Sequence, residues 1–325
     1  MAQVIKWGIL GAGRIAAKFA SDINKTPDCV VHAVASSSLE KAQQFAIDHQ
    51  GKLAFGNYQE LFTSGVDVIY VATPHTFHKE HTLLCLENNI PVLCEKPFGM
   101  NEQEVVEMIK LAREKKIFLM EAMWTRFLPS SLKTQEIIKS GIIGKIKTID
   151  ANFGFKSVFD ENSRLYNPAL GGGAFLDIGI YPAFLSLFLL GYPSKIWASS
   201  IFAPTGTDET TSFIYQYDNE TTAVLNCTVS AETNCEANIY GEKGSITIHG
   251  RFHEANQISL KLNGSETVET FDFPREAFGY NYEIEEVNAC LREGKSESEI
   301  MPLSFSQKLI HLLDKTREAA QIIYR

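Results

Sequence analysis

A lysine between an acid and a proline, Glu95-Lys96-Pro97, directly follows the apolar run Ile90-Pro91-Val92-Leu93-Cys94. A short apolar run bounded by proline reads as a buried strand of a parallel sheet, which puts Lys96 where that strand ends. In open α/β sheets, ligands bind outside the carboxyl ends of the strands. An ammonium group there is suited to steady a negative charge developing on a substrate oxygen. The stretch Gly11-Ala12-Gly13-Arg14-Ile15-Ala16 indicates the ligand. It follows an apolar strand and opens a helix, the context that gives a G-x-G-x-x-G/A turn its meaning. Gly11 allows the tight turn, Gly13 lets backbone approach a pyrophosphate, and Ala16 lets helix and strand pack closely. Arg14 and Ile15 supply the first helical amides, where the helix dipole favours an anion.

The end of the second strand bears on the choice between NAD and NADP. An acid there would grip a ribose 2′-hydroxyl and repel a 2′-phosphate. The sequence reads Ala35-Ser36-Ser37-Ser38, with neither acid nor arginine. The hydroxyls and amides of Ser36 and Ser37 can donate to a phosphate, so NADP is favoured and NAD remains possible. A third strand ends in Thr73-Pro74-His75-Thr76-Phe77-His78. Thr73 and Pro74 then fall at the same sheet edge, and His75 and His78 either serve the cofactor pocket or cap the following helix. His75, His78 and His81 are spaced i, i+3 and i+6, but no cysteine or carboxylate is placed with them as a closed zinc site needs, so no metal is expected.

These residues need a scaffold. Up to residue 122 the chain alternates strand and helix: strands at 4–10, 29–35, 66–73, around Val92 and at 117–121, with helices at 15–22, 39–50, 78–89 and 101–115. Such alternation means βαβ units and a doubly wound parallel sheet, a Rossmann domain over residues 1–122. Beyond Trp124 strand patterns follow one another at 145–155, 196–202, 210–217, 222–229, 237–240, 245–249, 257–262 and 266–271. Helices are expected at 131–140, 280–293 and 304–324. Runs of strands imply an α+β domain over residues 123–325 with a large, mostly antiparallel open sheet. Hairpin turns fall at Asn219 and at Gly241 to Gly244. The segments 156–170 and 251–256 read as loops that shape a substrate pocket.

Bulk properties bound the function. The chain has 325 residues, 45% hydrophobic and 21% charged, with a net charge of −9. That balance argues against nucleic acid and anionic membrane as partners. No uninterrupted apolar run approaches the ~18 residues of a spanning helix. The six cysteines include no Cys-x-x-Cys pair and read as reduced, mostly buried thiols of a cytoplasmic protein.

Taken together, the glycine turn, the Thr-Pro-x-x-x-His stretch, Glu95-Lys96-Pro97 and Gly171-Gly172-Gly173-Ala174-Phe175-Leu176-Asp177-Ile178-Gly179 resemble the Gfo/Idh/MocA family of oxidoreductases over essentially the whole chain. The resemblance implies a Rossmann domain followed by a domain whose open sheet forms the contact of a homo-oligomer, a dimer or a tetramer. It implies that Lys96 lies by the nicotinamide and the substrate oxygen, that Glu95 and Pro97 shape the cofactor pocket, and that Asp177 binds substrate or orients the catalytic group. Many members carry histidine four residues after that aspartate, where this chain has Tyr181. Tyrosine there, with Glu121-Ala122-Met123-Trp124-Thr125-Arg126, is similar to the branch of dimeric dihydrodiol and NADP-dependent xylose dehydrogenases. That likeness implies hydride transfer between NADP and a CH–OH group of a sugar or a trans-dihydrodiol.

The chemistry is consistent with those roles. A phenol of pKa about 10 is a poor base at neutral pH. A nearby ammonium favours the phenolate, so Lys96 would tune Tyr181, stabilise the substrate oxygen, or both. If Asp177 and Tyr181 start a helix, a spacing of four puts them on one face. The alternatives stay open: Tyr181 as a core tyrosine satisfied by Asp177, and Trp124 as hinge packing. Trp124 and Arg126 otherwise line the nicotinamide and substrate mouth, and Phe153 and Phe278 are either substrate wall or core. The alternative function is a non-catalytic NAD(P)-binding sensor of the same fold.

Overall fold

A computed structural model of the protein describes residues 3–323. The chain gathers into two compact units: one up to Phe127 together with Arg275–Gln307, the other Leu128–Pro274 together with the chain from Lys308 on. A single boundary after residue 122 therefore does not describe the chain, because a late segment returns to the first unit.

The first unit is built on β1 (Ile5–Leu10), α1 (Arg14–Ile23), β2 (Cys29–Ala35), α2 (Leu39–Asp48), β3 (Leu53–Phe55), α3 (Tyr58–Phe62), β4 (Val68–Val71), α4 (His78–Glu87), β5 (Val92–Glu95), α5 (Glu102–Lys115) and β6 (Leu119–Ala122). The six strands lie in the order β3-β2-β1-β4-β5-β6. Every pairing is parallel. This is the doubly wound order, with its topological switch between β1 and β4. The strands are apolar runs rather than alternating ones because helices bury them on both faces; all four residues of β4 and all four of β5 are buried. Inside, Phe19 of α1 stacks on Tyr70 of β4 at 3.7 Å between ring centroids, and Trp7 meets Phe19 edge-on.

The second unit contains α6 (Pro129–Ser140), β7 (Ile146–Gly154), α7 (Ile180–Leu190), β8 (Lys195–Phe202), β9 (Asp208–Gln216), β10 (Thr222–Thr228), β11 (Ala237–Gly241), β12 (Gly244–Ile248), β13 (Gln257–Leu262) and β14 (Val268–Asp272). Its eight strands run β14-β13-β12-β11-β7-β10-β9-β8. Only the central pair β7–β10 is parallel. One face is covered and the other open, so β8 alternates between exposed and half-buried residues from Lys195 to Ile201. The helix α7 was not assigned from the sequence. From Ile180 to Phe188 it is buried all round, so it carries none of the 3.6-residue polar periodicity that marks a surface helix. By length and composition Pro168–Leu190 would suit a membrane span, but 89% of its apolar window is buried inside the protein.

The chain then enters α8 (Asn281–Arg292) and α9 (Leu303–Ala320). The helix α8 belongs to the first unit for a chemical reason. The carboxylate of Asp22, at the end of α1, accepts the backbone amides of Phe278, Gly279 and Tyr280 at 2.9–3.0 Å, and Asn288 accepts the indole N–H of Trp7.

Candidate active site

In the first unit, the expected cofactor residues converge on the carboxyl edge of the parallel sheet. Gly11 follows β1 with φ +105, and its amide donates to the carbonyl of Ala35 at 2.9 Å. A Cβ at Gly11 would sit 2.8 Å from the carbonyl oxygen of Ala72, so a side chain is excluded both by conformation and by space. Gly13 caps α1 with extended backbone and no side-chain cap, and a Cβ there would meet nothing within 4 Å. The first turn of α1 holds no acid. An uncapped helix N-terminus facing open space fits a pyrophosphate. Arg14 is exposed and Ile15 half-buried beside it, and Ala16 is fully buried against the sheet.

At the end of β2, Ser36 is buried and its amide donates to Phe55. Ser37 is exposed. Ser38 is committed to α2, its hydroxyl accepting the amide of Lys41. Ser37 and the start of α2 are what a 2′-phosphate would meet.

After β4, the Thr73 hydroxyl pairs with His81 Nδ1 at 3.0 Å. Pro74 is exposed and His75 buried. His78 corrects the expectation placed on it. It is fully buried, so it has no surface to offer a cofactor. Its ring nitrogens lie 2.7 Å from the carbonyl oxygen of Pro97 and 2.8 Å from that of Thr73. Burial pushes its pKa down to about 4 against the pull of those carbonyls, so the ring is neutral and donates to one of them. His78 braces two strand ends rather than touching a ligand.

After β5, Glu95 is buried and accepts the hydroxyl of Tyr70 and the amide of Lys96. Lys96 itself is half-buried, and the Lys96–Pro97 peptide is cis. Trp124 is buried and stacks on Tyr280, with ring centroids 4.7 Å apart. The guanidinium of Arg126 donates from Nε to the carbonyl of Ile300 at 2.9 Å and lies over Phe305; burial lowers its pKa to about 10. Phe278, expected in the second domain, belongs to the first unit. Its ring is 45% exposed under the ammonium of Lys18.

In the second unit the structure brings Phe153, Asp177 and Tyr181 onto neighbouring elements. Asp177 lies in a π-helical turn, Phe175–Gly179, and Tyr181 in the first turn of α7, so the α-helical spacing of four does not govern the pair. Such π turns often mark functional sites. Arg164 donates to Asp177 Oδ2 at 2.7 Å. Burial works against the Arg164 charge, but Asp177 outweighs it and holds the guanidinium above its usual value. The ring of His253 stacks on Phe153 at 4.2 Å and lies 4.7 Å from that of Tyr181. Neither Arg164 nor His253 was singled out from the sequence. Their only signal was membership of the segments 156–170 and 251–256. Both segments are ordered by local structure, through a bridge from Lys156 to Ser230, a 3₁₀ turn at Pro168–Leu170 and another at Phe252–Glu254. A Cβ on Gly172 would meet the carbonyl oxygens of Arg164, Leu165 and Asn167 at 2.8–2.9 Å, so the glycine run lets the first of these segments fold back close to Asp177.

A doubly wound sheet with a nucleotide-fitted glycine turn, and a lysine fixed at the same edge, defines a dinucleotide-dependent oxidoreductase. Comparison with known proteins agrees. The profile described as "Oxidoreductase family, NAD-binding Rossmann fold" matches residues 5–123, and that of the "GFO/IDH/MocA C-terminal domain" matches residues 131–247. A trans-1,2-dihydrobenzene-1,2-diol dehydrogenase of Xenopus tropicalis is 37% identical, over 98% of this chain and 99% of that one. Its counterpart in Homo sapiens is 33% identical, over 99% and 98%. Among solved structures, the 3-ketoreductase KijD10 of Actinomadura kijaniata, in complex with NADP and TDP-benzene, superposes with a TM-score of 0.88 at 22% identity, over 97% of this chain and 98% of that one. The aldose-aldose oxidoreductase of Caulobacter crescentus gives 0.89 at 20%, over 98% of each. This chain belongs to the Gfo/Idh/MocA family of NAD(P)-binding oxidoreductases.

Proposed function

We propose that the protein is an NADP(H)-dependent dehydrogenase or reductase that interconverts a CH–OH group and a carbonyl on a sugar or a trans-dihydrodiol. The observation that carries this reading is the tethering of the Lys96 loop, through Glu95, Tyr70 and His78, at the sheet edge that bears the uncapped nucleotide turn. The absence of an acid after β2 and the exposed Ser37 support NADP over NAD, and the relatives named for dihydrodiol oxidation support the substrate class.

When bound, the nicotinamide supplies or takes up the hydride. The protein's own groups handle the proton and the charge. Lys96 donates a hydrogen bond to the substrate oxygen and stabilises it as it becomes anionic. Tyr181 takes the hydroxyl proton in oxidation and returns it in reduction. Asp177, paired with Arg164, is a fixed acceptor that orients a substrate hydroxyl. The flat ring surfaces of Phe153 and His253 beside Tyr181 suit an arene-derived ring.

The test follows absorbance of the reduced nicotinamide against a panel of diols, aldoses and dicarbonyls, with NADP and NAD in parallel. Turnover is expected with NADP on at least one diol or aldose. Tyr181→Phe and Lys96→Ala are each expected to lower kcat/KM by about 10²–10⁴-fold while NADPH still binds. Near-normal turnover in both variants sinks the mechanism, and tight NADPH binding without turnover across the panel points to a sensor.

A further inference from the structure

The four residues Glu95–Phe98 are tied down one by one from three different elements. Tyr70 of β4 donates to the Glu95 carboxylate, whose other oxygen accepts the Lys96 amide at 3.2 Å. His78 of α4 holds the Pro97 carbonyl at 2.7 Å. Glu121 of β6 accepts the Phe98 amide at 3.1 Å through Oε1. The side chain of Lys96, in the middle of this loop, is half-buried. Glu121 differs from an ordinary turn-stabilising group in two ways. It is 2% exposed, and its second oxygen, Oε2, has no hydrogen-bond partner. A buried acid with one oxygen engaged and the other unsatisfied is costly to keep, and a merely structural loop would be held as well by an amide or a backbone carbonyl.

We propose that Glu121 is a positioning residue of the reaction, acting through the Phe98 amide on the loop that carries Lys96. The proposal rests on the reading that Lys96 serves the substrate oxygen. Its chemistry gives it a pH dependence. Burial pushes the Glu121 carboxyl up to about 7; the Phe98 amide favours the ionised form, and the Ser306 hydroxyl does so in part without closing a hydrogen bond. From β5 it faces Glu95, which raises it further, and Cys94, whose thiol burial keeps neutral; from the loop it faces Lys96, which lowers it; His78 nearby is neutral. Below about 7 Glu121 is a neutral acceptor for Phe98. Above it, a carboxylate makes the stronger, charge-assisted bond and holds the loop more firmly. The stability effect has the opposite sign. The folded-state pKa lies above the unfolded value of about 4.3, so this contribution is complete below that value and is lost as pH rises through 7.

The experiment compares Glu121→Ala, Glu121→Gln, Lys96→Ala and the Glu121→Ala/Lys96→Ala double variant, by kcat, KM and pH profile on a substrate found in the panel, with melting temperature at pH 6 and 9. Glu121→Ala is expected to lower kcat about 10–100-fold, the cost of a misplaced catalytic group, with KM for NADPH within about twofold. Glu121→Gln still accepts the Phe98 amide, so it is expected to recover most of the plateau kcat. It should also lose the inflection near pH 7 and melt later relative to wild type at pH 9 than at pH 6. The double variant is expected to cost no more than Lys96→Ala alone, since both act through one group. Additive losses overturn the proposal while leaving Lys96 in place. Near-normal turnover of Lys96→Ala overturns both readings, and is told apart because the single Lys96 variant is then silent. If Glu121→Ala fails to fold, the Glu121→Gln profile decides: an unchanged inflection near pH 7 overturns the proposal.

Discussion

Gly11 and Gly13 stand two residues apart in the same turn and are glycines for different reasons. Gly11 has positive φ and no room, with the Ala72 carbonyl oxygen 2.8 Å from where a Cβ would be; Gly13 has ordinary extended backbone and open space in front of it. The first is a demand of the fold and the second a demand of the ligand. Gly11→Ala is therefore expected to destabilise the protein by about 1–3 kcal/mol, the scale of strained backbone. Gly13→Val is expected to cost the fold little, at most about 1 kcal/mol as a poorer helix cap. It should weaken NADPH binding by a large factor, because the new side chain occupies the approach of the pyrophosphate. Thermal melts and NADPH fluorescence titration separate the two; equal melting losses would mean that Gly13 also answers to the fold. At this scale the sequence was readable wherever a residue type has few uses. Glycines in a strand–turn–helix context and a lysine after a buried strand could be placed at the sheet edge, where the structure has them. His78 could not, because its role depends on two carbonyls, of Thr73 and Pro97, that come together only when β4 and β5 pair. Arg164 and His253 sit in loops, where residue type alone gives no direction.

The elements of the first unit were legible because each strand is an apolar run closed by turn residues and each long helix has a polar face. The strand β3 and helix α3 were missed, being three and five residues long and mostly half-exposed or exposed, too short to show a period. The helix α7 was missed for the opposite reason, since burial on all sides removes the contrast that reveals a helix. The return of α8 to the first unit was invisible because its anchor is a long-range pairing. Asp22, fully buried, takes three amides just ahead of α8, from residues some 256 positions away in sequence. That pairing makes a prediction about the element rather than the residue. Asp22→Ala leaves three amides without their acceptor, each worth about 1–3 kcal/mol when unsatisfied in the interior. The expected result is a loss of at least about 3 kcal/mol in urea unfolding, with hydrogen exchange of the 278–292 segment accelerated most. A uniform change in exchange across the first unit would show that Asp22 does not hold α8 in particular.

At the scale of the whole molecule, the open face of the second unit's sheet is unevenly apolar. Trp197 pairs in register with Ile214, and Ile214 with Val224, forming one row across β8, β9 and β10, and these side chains are 50%, 41% and 48% exposed. Ile201, also on β8, is exposed too. Beyond Val224 the row meets Asp150 on β7 and then Asn238 on β11, so the apolar character stops at the middle of the sheet. A contiguous apolar row that reaches an edge strand is the surface a monomer avoids, since both the side chains and the free backbone edge invite association. A second copy of the chain is the occupant that matches the homo-oligomer expected from the family resemblance. A two-fold axis would set the row of one copy against the same row of the other, in an isologous contact. A stable contact of that kind buries about 800 Å² on each partner. The protein is accordingly expected to sediment as a dimer at micromolar concentration. Trp197→Asp combined with Ile214→Lys is expected to shift it to a monomer, with the fold otherwise retained, because these side chains are about half exposed and lie outside the buried core. Single charges placed at Thr247 or Ser259, on the polar half of the same face, should leave the dimer intact. A wild-type chain that sediments as a monomer, or a dimer indifferent to Trp197→Asp/Ile214→Lys but broken by charge at Thr247, would move the contact away from this row.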